Sequence, residues 1–191
     1  MSIQPFVPPF TQVCDVIKQT TWHRDLTVRE IPAPTRIAKD SMAIEAVVSH
    51  DGEEIGSGRL ILLHQSFWEE DWEGDYRLVT MSRAEVDHQI ATDPLLGEVA
   101  WSWLTDALDQ RKTTYRAAAG TTTAVLSHPF GQIAGDPEEN RVELRASWTP
   151  DIEETHDIVD HLMAWQDLLC LTCGIQPVPD GVVSIAPRRA R

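Results

Sequence analysis

The stretch from Asp93 to Gln110, DPLLGEVAWSWLTDALDQ, decides the fold. Asp93 is a residue type that caps free backbone N–H groups at a helix start, and Pro94 suits the first helical position, where no N–H is needed. Apolar residues at helical spacing form one side of the stretch, and polar residues form the other. The apolar side consists of Leu96, Val99, Ala100, Trp103, Leu104 and Ala107. The pattern predicts a long amphipathic helix at the centre of the core.

Strand patterns lie on both sides of this helix. The predicted strands are residues 26–31, 41–49, 55–65, 76–82, 115–126 and 141–148. Asp51-Gly52 is a strong signal for a tight hairpin between the second and third strands. Residues 60–63 are apolar on both faces, which places the third strand inside the sheet. Gly56 and Gly58 near its start indicate a bulge or a close backbone approach.

Two further helices are predicted, one at 11–20 and one at 151–173. Asp151 and Glu154 have the spacing of a capping box for the second, and Gly174 suits its end. Hairpin-linked strands with grouped helices predict an α+β fold. We expect a single antiparallel sheet of about five to six strands, with the long central helix, a C-terminal helix and a short N-terminal helix packed on one face. An extended N-terminal arm at 1–10, pinned by Phe6 and Phe10, would precede a single domain at 11–175 and an irregular tail at 176–191.

Composition limits the classes of function. A chain of 191 residues, 42% of them hydrophobic, can bury a sizeable core in one domain. No apolar run approaches the roughly 20 residues of a membrane helix, and the N-terminus has no charged leader, so we expect a cytoplasmic protein with no membrane partner. A net charge of −14 disfavours nucleic acid as a partner, although the last residues include Arg188, Arg189 and Arg191.

The sequence contains no recognised catalytic, cofactor or metal motif. The G-x-S-x-G, Gly-rich phosphate-loop and H-E-x-x-H patterns are absent. Cys170 and Cys173 form one C-x-x-C at a helix end, where the helix dipole does not activate a thiol, so we expect buried structural thiols. Asp157 and His161, one turn apart, lack a third ligand and are expected on a solvated helix surface. We therefore assign no catalytic residue, no cofactor and no metal.

The most unusual polar segment is FWEEDWEGD at 67–75, which combines five acids with two tryptophans. Tryptophan rings can anchor a partner and carboxylates can steer a basic one towards them. The alternative is structural, because the rings of a charged hairpin loop can fold back onto the sheet edge. The candidate partner-binding residues are Trp68, Glu69, Glu70, Asp71, Trp72 and Glu73.

Four segments together resemble a known family. They are EIPAPTRIA at 30–38, TDPLLGEVAWSWL at 92–104, ELRASWTP at 143–150 and PDGVV at 179–183. They are similar to an actinobacterial family defined as a domain of unknown function, number three thousand. The resemblance implies a cytoplasmic actinobacterial protein and carries over no activity and no site. The order of elements also resembles that of type III secretion chaperones, which often dimerise and hold partner segments, although residues 26–31 add a strand.

Two classes of function stay open. The favoured hypothesis is a non-enzymatic protein-binding or adaptor module with an unidentified, basic protein partner, and a homodimer is compatible with it. The alternative is an enzyme acting on a small molecule, with an acid/base site assembled only in the fold from His64, His128 and nearby carboxylates. A deep pocket lined by such residues would favour the enzyme, and an exposed apolar patch near the acidic segment would favour the binding module.

Overall fold

The structure is a computed structural model that describes residues 7–177. The helices in this range are α1 (Phe10–Gln19), α2 (His88–Ala91), α3 (Leu96–Gln110) and α4 (Ile158–Thr172). The strands are β1 (Leu26–Ile31), β2 (Asp40–His50), β3 (Glu53–Glu69), β4 (Gly74–Glu85), β5 (Tyr115–Ser127) and β6 (Glu139–Pro150). No helix of this range has the length and hydropathy needed to span a bilayer.

The six strands form one antiparallel sheet in the order β1-β2-β3-β4-β6-β5. The first four strands are successive hairpin neighbours, whereas β6 lies between β4 and β5. The α+β fold with a single antiparallel sheet is therefore confirmed. β3 is an interior strand, as its two apolar faces predict, and β1 and β5 are the two edges.

The helices cover one face of the sheet. Trp148 of β6 and Trp165 of α4 are completely buried in this layer. The indole Nε1–H of Trp165 donates to Thr80 Oγ1 of β4 at 2.8 Å. Gly58 of β3 allows the close approach, because a Cβ there would lie 2.4 Å from Leu169 Cδ2 on α4. The absence of a side chain at Gly58 therefore sets how closely α4 packs on the sheet, as the sequence predicts.

The N-terminal segment also packs on this face. The Phe10 ring stacks on His64 with ring centroids 5.7 Å apart. The buried Tyr76 hydroxyl donates to the carbonyl of Pro8 at 2.8 Å. Phe10 therefore pins the segment as predicted, while Phe6 and the arginines of the tail lie outside the described residues.

Both long helices begin later than the sequence predicts. The Asp93 carboxylate accepts the N–H of Leu95 at 2.8 Å in a turn that precedes α3. Val99, predicted to face the core, is exposed, because the buried side of α3 is rotated towards Leu108.

The predicted capping box at Asp151 and Glu154 is wrong. Asp151 is instead held by Arg116 of β5, whose Nη2 donates to it at 2.9 Å. Glu154 and Asp157 form the box, and a 3-10 turn at Thr155–Asp157 separates it from α4. The predicted end is confirmed: Gly174 has φ +71°, and the N–H of Ile175 donates to the carbonyl of Cys170 at 2.8 Å.

Candidate functional site

The acidic segment forms the tip of the β3–β4 hairpin, which we call the hairpin tip (residues 67–75). The strands pair regularly up to His64 opposite Tyr76, and pairing resumes with Glu69 opposite Gly74. Four residues of β3 thus lie opposite a single residue of β4, so the surplus backbone bulges out of the ladder. Phe67 and Trp68 lie on this bulge, outside the regular strand ladder.

Phe67 and Trp68 form an exposed aromatic pair on this bulge. Phe67 is 62% exposed and Trp68 is 54% exposed. Trp72 is only partly exposed, and its carbonyl accepts the hydroxyl of Thr149 on β6. The structure therefore brings Phe67, rather than Trp72, beside Trp68 as a solvent-facing ring.

The Trp68 ring already binds one cation. The Arg116 guanidinium carbon lies 5.4 Å from the ring centroid, and the same guanidinium donates to Asp151. This is the geometry of a cation–π contact. The hairpin tip thus reaches over β4 and β6 to the edge strand β5.

The five carboxylates of the hairpin tip carry no ion pair with any residue in 7–177. Glu70, Asp71 and Glu73 are exposed, and Glu69 is partly exposed. Arg77 of β4 is the nearby buried cation, and it donates to the hydroxyls of Ser147 and Thr149. Burial lowers its pKa, and the charge of Glu73 opposes that shift. The exposed surface of the hairpin tip is therefore predominantly negative.

The two histidines considered for an acid/base site lie apart. His64 Nδ1 lies 3.0 Å from Asp40 Oδ2, and its ring contacts Tyr76 with centroids 4.7 Å apart. His128 lies in the loop before β6, with Nδ1 2.9 Å from Glu138 Oε1. The structure therefore gives each histidine a separate carboxylate partner and does not join them in one site.

A different histidine lines an acidic cleft of about 290 Å³. The cleft is lined by Lys112, Thr113, Thr114, Asp151, Glu153, Asp157, Asp160 and His161. The expectation of a solvated His161 is wrong, because this residue is 1% exposed and its Nδ1 accepts the indole N–H of Trp148 at 3.2 Å. Burial lowers its pKa to about 4, against a smaller raising effect of Asp157. His161 is thus a neutral side chain at pH 7.

The remaining groups of this cleft are largely engaged in structure. Asp151 pairs with Arg116, and Asp157 belongs to the capping box. Across residues 7–177 no three His, Cys, Asp or Glu side chains are placed to hold a metal ion. No pattern in the sequence marks this cleft, because it joins the loop before β5 to the start of α4.

The cysteines are structural, as the sequence predicts. Cys170 is completely buried, and Cys173 is partly buried with its thiol 3.9 Å from the carbonyl of Ile55. Burial raises the pKa of both thiols to about 12. Thiolate chemistry at neutral pH is therefore disfavoured at this pair.

Comparison with known proteins gives one match. A family described as "Protein of unknown function (DUF3000)" matches residues 7–183. No curated protein and no solved structure matches the chain, so the likeness to type III secretion chaperones has no support beyond the order of elements. Since the match covers nearly the whole chain, the protein belongs to the DUF3000 family.

Proposed function

We propose that the protein is a protein-binding or adaptor module that docks a basic segment of a partner protein on the hairpin tip. The observation that carries this proposal is the pair of exposed rings, Phe67 and Trp68, among five carboxylates without an ion pair in the described chain. Exposed aromatic side chains are the residues that most often dominate binding energy at interfaces. Carboxylates around them favour cationic partners and repel acidic ones.

The contact between Arg116 and Trp68 supports the same chemistry within the chain. The ring accepts a guanidinium at 5.4 Å, which is the interaction that an arginine of a partner would make. The bulge supports it too, because residues outside the ladder can meet a partner without breaking strand pairing. The partner segment is therefore expected to alternate basic and apolar side chains.

Fluorescence polarisation with a labelled synthetic peptide of alternating Arg and Leu tests the proposal. We expect Phe67→Ala/Trp68→Ala to weaken binding about 30-fold, since truncating a central aromatic anchor typically removes about 2 kcal/mol or more. Phe130→Ala is the control, because Phe130 is an even more exposed ring, at 79%, and lies in the loop before β6. Equal affinity of the wild type and the double variant would remove the hairpin tip as the docking site.

The role of charge is tested separately. Glu70→Lys/Asp71→Lys should weaken peptide binding and make the affinity depend less on salt concentration. The reason is that the variant attracts the basic peptide less, so salt has less electrostatic attraction to screen. Glu53→Lys/Glu54→Lys makes the same change at exposed positions of the opposite β2–β3 hairpin and should leave the affinity unchanged. A peptide with Glu in place of Arg that binds as tightly would contradict a basic partner. A pull-down from cell extract with both pairs of variants then identifies natural partners.

A further inference from the structure

The two edges of the sheet are protected very differently. Strands at sheet edges are usually blunted by shortness, charge or proline. β1 has six residues, includes Arg29 and Glu30, and is followed by Pro32. β5 has thirteen residues, and residues 117–127, AAAGTTTAVLS, contain no charge and no proline. One edge is therefore blunted, whereas on the other only the irregularity between Arg116 and Ala119 interrupts the strand, and residues 119–127 form a regular, uncharged edge.

The outer side of β5 is open among the described residues. Its central residues Ala119, Gly120, Thr121, Thr123 and Ala124 are exposed. In an antiparallel ladder alternate residues direct their N–H and C=O groups to opposite neighbours. Because β5 pairs only with β6 in residues 7–177, the groups directed away from β6 are free to pair with another strand.

Exposed apolar side chains concentrate at the same edge. Nine large apolar side chains of the described residues are exposed, and six of them belong to α2, the start of α3, or the end of β5 and the loop that follows it. The six are Ile90, Leu95, Val99, Leu126, Phe130 and Ile133. Contacts join these elements: Thr122 Oγ1 donates to the carbonyl of Gly97 at 3.4 Å, and the rings of His88 and His128 lie 6.3 Å apart. An exposed apolar patch of this kind marks an interaction surface.

We propose that β5 pairs with β5 of a second copy of this chain, antiparallel about a two-fold axis at Thr122, to form one continuous twelve-stranded sheet. In this register the larger side chains of one strand meet the smaller ones of the other. The opposed pairs are Ala119 with Val125, Gly120 with Ala124, and Thr121 with Thr123, all within the regular part of β5. The strand is therefore complementary in size to its own copy.

Charge does not oppose a second copy at this surface. Each chain carries a net charge of −14, so two copies repel each other over most of their surfaces. Residues 117–127 form an uncharged strip at which two copies can meet without opposing like charges. The flanking apolar residues of α2 and α3 add area beside the paired strands, as a stable two-fold interface requires.

Analytical ultracentrifugation of the full chain over a wide concentration range tests the proposal. We expect a dimer, and we expect Thr121→Lys/Thr123→Lys to weaken it at least about tenfold, because each lysine then lies opposite a lysine of the other copy. Thr27→Lys is the matched control on β1. Through directly opposed residues across the sheet, Thr27 corresponds to Thr123 and Arg29 corresponds to Thr121. Because Arg29 is already a cation, Thr27→Lys gives β1 two cations at the positions that match those of the lysine variant on β5.

Further variants keep the test decisive. Thr121→Glu/Thr123→Glu should weaken the dimer as strongly as the lysine variant, and thermal denaturation checks that each variant is folded. Thr122→Cys should form a disulfide-linked dimer on oxidation and Thr27→Cys should not, since Thr122 faces itself across the axis. A wild-type monomer at all concentrations, open-ended assembly, or equal loss of the dimer in Thr27→Lys would overturn the proposal. Peptide binding at the hairpin tip is measured independently on the lysine variant.

Discussion

At the scale of single residues, His161 couples stability to pH. Its imidazole is buried and neutral, and its pKa falls from 6.5 to about 4 on folding. The unfolded chain binds a proton there below about pH 6.5, whereas the folded chain binds one only below about pH 4. The stabilising contribution of this group is therefore complete above pH 6.5 and is lost as the pH falls from 6.5 to 4. The full span corresponds to about 3 kcal/mol.

His161→Gln should remove this part of the pH dependence, while its amide oxygen can still accept the indole N–H of Trp148. Urea unfolding at pH 7.5 and pH 5.0 measures the change. We expect the wild type to lose about 2 kcal/mol more than the variant between the two values, since 1.5 pH units lie below the unfolded pKa. His50→Gln, a substitution at a half-exposed histidine, is the control. Identical losses in the wild type and His161→Gln would contradict the assignment.

Gly58 shows how one missing side chain positions a helix. A Cβ at Gly58 would lie 2.4 Å from Leu169 Cδ2 and 3.2 Å from the Trp165 ring. Gly58→Ala should therefore destabilise the fold by about 1–3 kcal/mol through overpacking. Gly97→Ala places a Cβ in open space on α3 and should be neutral or stabilising by about 0.5–1 kcal/mol. Thermal denaturation of both variants checks the contrast, and a stable Gly58→Ala would show that α4 can shift.

At the scale of elements, one ion pair joins the end of α3 to α4. Arg111 Nε donates to Asp167 Oδ2 at 2.7 Å, and Nη2 donates to Oδ1 at 3.1 Å. The two side chains are only 11% and 7% exposed. Asp167→Ala should destabilise the protein by about 1.5–3 kcal/mol, because it removes two charge-assisted hydrogen bonds between buried side chains. Asp151→Ala breaks the half-exposed pair with Arg116 and should cost no more than about 1 kcal/mol. Similar losses in urea unfolding would contradict this difference.

The strands could be predicted from the sequence because their signals are local. Alternation with a period of two predicts β1 at its observed bounds, and Asp51-Gly52 has the positive φ angles that its hairpin signal implies. The start of α4 could not be predicted in this way. Aspartate is a residue type that often caps a helix, but in the fold Asp151 is bound by Arg116, which lies 35 residues away in the sequence. The position of this helix start therefore depended on a distant partner of Asp151, whereas the end of α4 at Gly174 follows a local signal.

The same limit applies to the surfaces. The acids and rings of the hairpin tip are evident in the sequence, but the bulge that exposes Phe67 and Trp68 depends on the register between β3 and β4. Residues 115–126 are recognisable as a strand, but only the strand order shows that β5 is an edge. An uncharged strand is common in the interior of a sheet. At an exposed edge it is unusual, and this is why the position of β5 matters.

At the scale of the whole molecule, helices cover one face of the sheet and leave the other open. The open face bears exposed arginines, although the chain is strongly acidic. They are Arg29, Arg59, Arg83, Arg141 and Arg145. Glu45 lies between Arg29 and Arg59, whose hydrogen bonds lower its pKa, and Glu143 lies between Arg141 and Arg145. Each group of three keeps a net positive charge, so negative charge is concentrated elsewhere, including the hairpin tip.

This layering predicts how stability is distributed. Four interior strands, β2, β3, β4 and β6, are paired on both sides, and α4 contacts β3, β4 and β6, whereas β1 is paired on one side and is short. Hydrogen exchange followed by mass spectrometry should show the slowest amides in β3, β4, β6 and α4, which open only with the whole domain. Amides of β1 should exchange at least about 100-fold faster through local opening.

Amides of β5 should exchange fast in the lysine variant Thr121→Lys/Thr123→Lys and more slowly in the wild type at high concentration, where the outward N–H and C=O groups are paired. If the amides of β1 were protected as strongly as those of β3, the sheet would open as one unit. The expected local opening of the edge strands would then be contradicted.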